Sequence, residues 1–183
     1  MSRLREANGK WVEKLEISEE VWLQIKKETF AGIFAIMESV KIILDHIKHP
    51  SHVKDNTLQI CAGLYTFALE EYGKLLILQE YSPSNGKVII DYARIFRSHP
   101  PKFKKALDNL PTECILLHKG GSGANSGSNF DIDQIADLQG RLAIFYADLR
   151  DDASGILKVP AVDKNRLIKV IDEFEKAYFG MKI

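Results

Sequence analysis

The sequence predicts an all-α fold, a single-domain bundle of five to six helices. Three observations carry that expectation. Trp22, Ile25, Thr29, Ile33, Met37, Val40, Leu44 and Ile47 recur at three- and four-residue steps, the period of one helix face. Residues 58–78 form a second run that is apolar on most of a helix circumference, as a central, buried helix would be. No stretch shows the alternating, β-branched pattern of a strand, and the valines and isoleucines recur at helical periods. Short connections then place neighbouring helices antiparallel.

Composition bounds the class. The 183 residues suffice for one well-cored domain and scarcely for two. Twenty-five Lys and Arg balance twenty-five Asp and Glu, so no global field draws the chain to nucleic acid or to an anionic membrane. Any RNA contact has to come from a local patch. Cys61 and Cys114 lack metal-ligand or redox spacing, and Cys61 reads as a small core residue in a reducing compartment. No signal peptide follows Met1 and no apolar stretch is long and charge-free enough to span a bilayer. The expectation is a cytoplasmic protein without a membrane partner, metal or cofactor.

Along the chain, residues 1–17 read as an N-terminal arm or a short helix, and 18–183 as the bundle. Ser18 is the expected N-cap of the first long helix, with Glu19 and Glu20 in the turn where the dipole favours acids. Pro50 ends that helix, and His46, His49 and His52 around it read as a helix-end cluster rather than a metal site. The central helix covers about 56–80. One side of it carries Ile60, Leu64, Phe67, Leu75 and Leu78, with Glu71 in the same stripe; Leu58, Ala62, Tyr65, Leu69, Tyr72 and Leu76 make a second apolar side. Glu71 therefore needs a partner from another element, because an unpaired buried carboxylate is costly. Glu70 and Lys74 fall on the polar strip, spaced for an i,i+4 pair.

The segment from Ser82 to Gly86 reads as a turn opening a third helix in which Val88, Tyr92, Ile95 and His99 share a face. Pro100 and Pro101 stop it. A basic short helix over 102–110 and another capped by Thr112 follow. Residues 120–129 are a Gly/Ser-rich stretch expected to be a flexible loop, lacking the lysine-serine ending of a phosphate-binding loop. A further helix opens at Asp131 or Asp133 with Ile135, Leu138, Leu142, Phe145 and Leu149 inward, flanked by Arg141 and Asp148. Asp163 opens the last helix, where Leu167, Val170, Ile171, Phe174 and Tyr178 face the core and Gly180 ends it.

For chemistry, His99 is the best acid–base candidate, since imidazole changes charge near neutral pH. Arg94, Arg97 and Lys102 lie close in sequence and can hold phosphate oxygens. Arg94 and His99 stand about 140° apart on one continuous helix, so they converge only through a bend at the prolines or through a second subunit. Such a set suits cleavage of RNA by its own 2′-hydroxyl, which needs a base and a cationic clamp. The alternative is a core histidine hydrogen-bonded to Glu71 or Asp148. A di-iron bundle requires Glu-x-x-His on two helices, and that pattern does not occur.

Three segments in order carry a resemblance: Ala68-Leu69-Glu70-Glu71-Tyr72-Gly73-Lys74, then Phe96-Arg97-Ser98-His99-Pro100-Pro101-Lys102, then Arg141 with Ile144-Phe145-Tyr146-Ala147-Asp148. With them the chain resembles the AbiV family of abortive-infection proteins over about residues 29–149. The resemblance implies a HEPN-like helical bundle and a role in phage defence. It also implies a dimeric, metal-independent ribonuclease whose R-x4-6-H motif would be Arg94 and His99. Glu71, Lys74, His99, Lys102 and Asp148 would form a charged cluster, with Glu70, Arg97 and Arg141 beside it. The second expectation is a non-catalytic module that binds a phage or host protein, the cluster then being structural.

Overall fold

Ser18 opens the longest helix as expected. Its hydroxyl accepts the Val21 N–H at 3.2 Å, and helix α1 runs Glu19–His46 with Glu19 and Glu20 in its first turn. A computed structural model describes residues 2–5, 11–47, 56–114, 148–149, 156–157 and 163–180. The core row predicted for α1 is borne out: Trp22, Thr29, Ile33, Met37, Val40, Leu44 and Ile47 are buried and Ile25 is partly so. The central helix, α2, spans Asn56–Gln79. The described residues are mostly helical and fall into two compact units, one built from Met1–Phe34 and Leu69–Asn109, the other from Ala35–Ala68 and Leu110–Met181. The division runs through both long helices.

The first unit holds a sheet that helical periodicity did not predict. Strands β1 (Ser2–Arg5), β2 (Trp11–Ser18) and β3 (Lys87–Asp91) pair antiparallel in that order. The arm or short helix expected over 1–17 is thus strand where it is described, and the start of the expected third helix is strand as well. The reason is alternation over short stretches. Glu13, Leu15 and Ile17 of β2 turn inward while Lys14, Glu16 and Ser18 face out. In β3, Val88 and Ile90 are buried between exposed Lys87 and Ile89. Leu15 pairs with Ile90 and Ile17 with Val88, giving one apolar face. Asn85 and Gly86 both have positive φ, 52° and 72°. Ser84 and Lys87 exchange backbone hydrogen bonds of 2.8 and 3.1 Å around them. This is the two-residue Asn-Gly turn of a tight reversal, not the start of a helix.

Trp22, Ile77, Leu78, Val88, Ile90 and Ile95 form the core of this unit, with Leu15, Ile17, Ile25, Tyr81 and Phe96 packed against it. The Trp22 indole N–H donates to the Leu78 carbonyl at 3.1 Å, satisfying the one polar atom of a buried side chain. After β3 comes a π-helical turn, Ala93–Arg97, which ends where Ser98 becomes extended. Helix α3, Pro100–Asn109, follows. Its two prolines stand at the first helical positions, where a missing N–H costs nothing, so they begin this helix after breaking the one before. His99 is the residue ahead of them, and its carbonyl accepts from Lys102 N at 3.0 Å and Phe103 N at 3.2 Å.

In the second unit the last helix, α4 (Lys164–Phe179), matches expectation. The Asp163 carboxylate accepts the Arg166 N–H at 2.7 Å as N-cap. Leu167, Val170, Ile171, Phe174 and Tyr178 are all buried, and Gly180 is the C-cap. The Tyr65 ring meets Phe174 edge-on at 5.6 Å, and its hydroxyl donates to the Cys114 carbonyl at 2.6 Å. Lys41 pairs with Glu175 at 2.6 Å. Cys114 closes a 3-10 turn, Thr112–Cys114. Burial pushes both free thiols, Cys61 and Cys114, up to about 11, so they stay protonated and act as small apolar groups. Phe174→Ala is expected to cost about 3–5 kcal/mol, the range for a fully buried Phe, read as a lower midpoint in urea unfolding.

Asp148–Leu149 (β4) pairs antiparallel with Ile156–Leu157 (β5). This corrects the helix expected to run through Leu149: at Asp148 the backbone is strand. Arg141, His49, His52 and the Gly/Ser stretch at 120–129 lie outside the described residues. Among the described residues no helix is long and apolar enough to cross a membrane.

Candidate functional site

Glu70, and not Glu71, is the buried carboxylate of α2. Its side chain is 7% exposed, and Oε1 receives both Lys102 Nζ at 2.7 Å and His99 Nδ1 at 2.6 Å. Lys102 is itself 4% exposed, so the Glu70–Lys102 pair is desolvated on both sides. The ring of His99 is different: 42% of the side chain remains exposed. The spacing explains the convergence. His99 and Lys102 are three residues apart across the start of α3 and can reach one oxygen from the same side. Glu71 is only partly buried and pairs within its own helix with Lys74, Nζ to Oε2 2.8 Å. The expected Glu70–Lys74 pair is therefore replaced by Glu71–Lys74.

Burial raises the energy of a charged Glu70, but the hydrogen bonds from Lys102 and His99 outweigh it. They hold its carboxyl below the usual carboxylate range. An ionised carboxylate only accepts, so His99 Nδ1 must be the donor. That assigns the neutral ring its Nδ1–H tautomer and leaves the lone pair on Nε2. The depressed carboxyl contributes stability that is complete at neutral pH. It starts to be lost as pH falls below about 4.3, the unfolded value, and is gone below the folded one. Acid titration of unfolding should accordingly show a loss in that window that Glu70→Gln removes.

Arg94 is held elsewhere. Its guanidinium donates to Glu80 Oε2 at 2.7 Å, and Lys105 reaches the other oxygen of the same carboxylate at 2.7 Å. Glu70 and Glu80 are ten residues apart, about 15 Å of helical rise. The two members of the R-x4-H spacing are thus tied to different carboxylates, and no hydrogen bond or ion pair joins them. Arg97, 56% exposed, donates to Glu13 Oε1 of β2 at 2.9 Å and lies over the Tyr92 ring at 5.3 Å. Glu71 and Lys74 line a cleft of about 360 Å³ with Val21, Gln24, Ile25, Glu28 and Thr29 of α1. Asp148 and Arg141 add nothing to the site among the described residues, since only the backbone of Asp148 is described.

Three participants were absent from the sequence-based set: Glu13, Glu80 and Gly73. Gly73 lies one turn beyond Glu70, and a Cβ built on it would stand 1.8 Å from the Lys102 carbonyl oxygen. The readable signal was the pair of three-residue spacings, Glu70 to Gly73 and His99 to Lys102, one on each facing helix. Among the described residues, no group of three or more His, Cys, Asp and Glu side chains is arranged to hold a metal ion. No family model matches the chain, and neither the curated proteins nor the solved structures contain a significant match to it.

Proposed function

We propose that the chain is a HEPN-like ribonuclease of the abortive-infection kind, a phage-defence protein that acts as a homodimer. The observation that carries this reading is the half-exposed His99 ring, held through Nδ1 by a buried, ionised Glu70. A histidine so oriented presents Nε2 as a general base, as the carboxylate-oriented histidine of hydrolases does. In the proposed step Nε2 removes the proton of an RNA 2′-hydroxyl. The 2′-oxygen then bonds to phosphorus, the P–O5′ bond breaks, and water protonates the leaving oxygen. The products are a 2′,3′-cyclic phosphate and a 5′-hydroxyl end.

The cationic clamp falls to Arg97, which donates to Glu13 yet keeps 56% of its side chain exposed, rather than to Arg94, which is 34% exposed and shares Glu80 with Lys105. The Cα of Arg97 lies within about 7 Å of that of His99, two residues along the chain. Support for the defence role is the resemblance itself: Glu70, Gly73, His99 and Lys102, all in its signature segments, are the residues that converge.

The buried Glu70–Lys102 pair also favours a second reading, a binding module for a phage or host protein in which the cluster only clamps α2 to α3. Incubating the purified protein with single-stranded RNA in excess chelator separates the two. The ribonuclease reading expects fragments ending in 2′,3′-cyclic phosphate and a dimer by light scattering. Intact RNA supports the binding module instead, and 3′-hydroxyl ends would contradict attack by the 2′-hydroxyl.

A further inference from the structure

Gly73 makes no hydrogen bond through a side chain and carries no charge, yet its position leaves less room for a Cβ than those of Gly32, Gly86 and Gly180. A Cβ there would meet Lys102 O at 1.8 Å, Lys102 C at 2.6 Å and Lys102 Cα at 3.1 Å. These are backbone atoms, which cannot swing aside as the end of a side chain would. By contrast, a Cβ on Gly32 of α1 meets nothing within 4 Å. At Gly73 the backbones of α2 and α3 are in direct contact, and it is at this contact that α3 delivers both His99 and Lys102 to one carboxylate oxygen.

We infer that Gly73 is a positioning residue that sets the His99–Glu70 hydrogen bond by fixing how closely α3 approaches α2. The inference rests on the proposed role of that pair. A methyl group at 73 forces α3 back by more than an ångström, since real Cβ contacts are not shorter than 3.0 Å. A 2.6 Å contact lengthened by that amount is no longer a hydrogen bond. The long Lys102 side chain can follow Glu70 through its rotamers. The imidazole, fixed two bonds from a backbone held by Pro100, has less reach. Replacing Gly73 therefore separates the histidine from its carboxylate without removing either one.

The test is the tautomer of His99, read from imidazole 15N shifts of the full chain at a pH where the ring is neutral. Wild type is expected to show the Nδ1–H form. In Gly73→Ala the ring is expected to revert to the Nε2–H form of a solvated histidine, with a normal far-UV spectrum and lowered RNA cleavage. Gly32→Ala, a replacement of the same kind in open space, should leave tautomer and cleavage as in wild type.

Should Gly73→Ala be too unstable to study, Gly32→Ala is combined with it. Alanine is preferred to glycine inside a helix by about 1 kcal/mol, which offsets part of the loss. Retention of the Nδ1–H form in a folded Gly73→Ala protein overturns the inference. Failure of the double variant to fold overturns it as well, because Gly73 would then hold the whole unit together rather than position one ring. An Nε2–H ring already in wild type sinks the Glu70–His99 pairing itself, and that outcome is distinct from a failure at Gly73.

Discussion

Glu70→Ala is expected to lower the unfolding free energy by about 3–5 kcal/mol, the range for breaking a buried ion pair from one side. The expectation follows from Lys102, whose side chain is 4% exposed and whose ammonium would be left without its carboxylate. The cost is chiefly that of an uncompensated buried charge. The companion variant makes the origin visible. Glu70→Leu combined with Lys102→Met removes both charges and keeps apolar volume, so it should recover most of the loss. Urea unfolding at pH 7 of the single and double variants checks this. A loss under about 1 kcal/mol for Glu70→Ala would mean that water reaches Lys102 and that the cluster is a surface one.

On the function proposed above, His99→Ala should have the opposite profile, with cleavage of RNA lowered by about 10²–10⁴-fold, the usual contribution of a general base. Stability should change by no more than about 1–2 kcal/mol, because a ring that is 42% exposed leaves neither a cavity nor a stranded charge. Glu70 keeps Lys102 in that variant. The pair of variants thus separates the loss of a buried charge partner from the loss of the proposed base. Circular dichroism and urea unfolding give the stability, and initial rates on a fluorescent RNA give the activity. A His99→Ala protein that unfolds as readily as Glu70→Ala, with no change in a cleavage rate, would place His99 in the core.

The long periodic elements were legible in the sequence, and the short ones were not. The eight-residue row of α1 and the five-residue row of α4 repeat often enough for the helix period to stand out, and their caps, Ser18 and Asp163, are chemically explicit. β2 and β3 offer only two or three inward residues each, and Glu13, which is buried, interrupts the apolar pattern on the inner face. The Asn85-Gly86 turn did announce a reversal, but Pro83 ahead of it also fits a helix start.

On α2 the difficulty was angular. Glu70 and Glu71 differ by 100°, and on a helix with two apolar sides the wheel alone does not say which side is covered. Around the two carboxylates the structure buries residues of both sides, Leu75 and Leu78 from the stripe of Glu71 and Leu69 and Tyr72 from the other, while Glu71 itself is only partly buried. Which of the two carboxylates is covered depends on where α3 meets α2 at Gly73, which is a tertiary fact. The E-x-x-G and H-x-x-K spacings stand in the sequence, but only the contact between Gly73 and Lys102 shows that they face each other.

The central claim is that Glu70 and His99 act as one unit. A double-mutant cycle on RNA cleavage in excess chelator tests it most directly, using wild type, His99→Ala, Glu70→Gln and the double variant, each first shown to be folded. If Glu70 works only by orienting His99, each single change lowers the rate and the double variant is no slower than His99→Ala alone. Losses that multiply in the double variant, or a wild-type protein that leaves RNA intact, would contradict the claim.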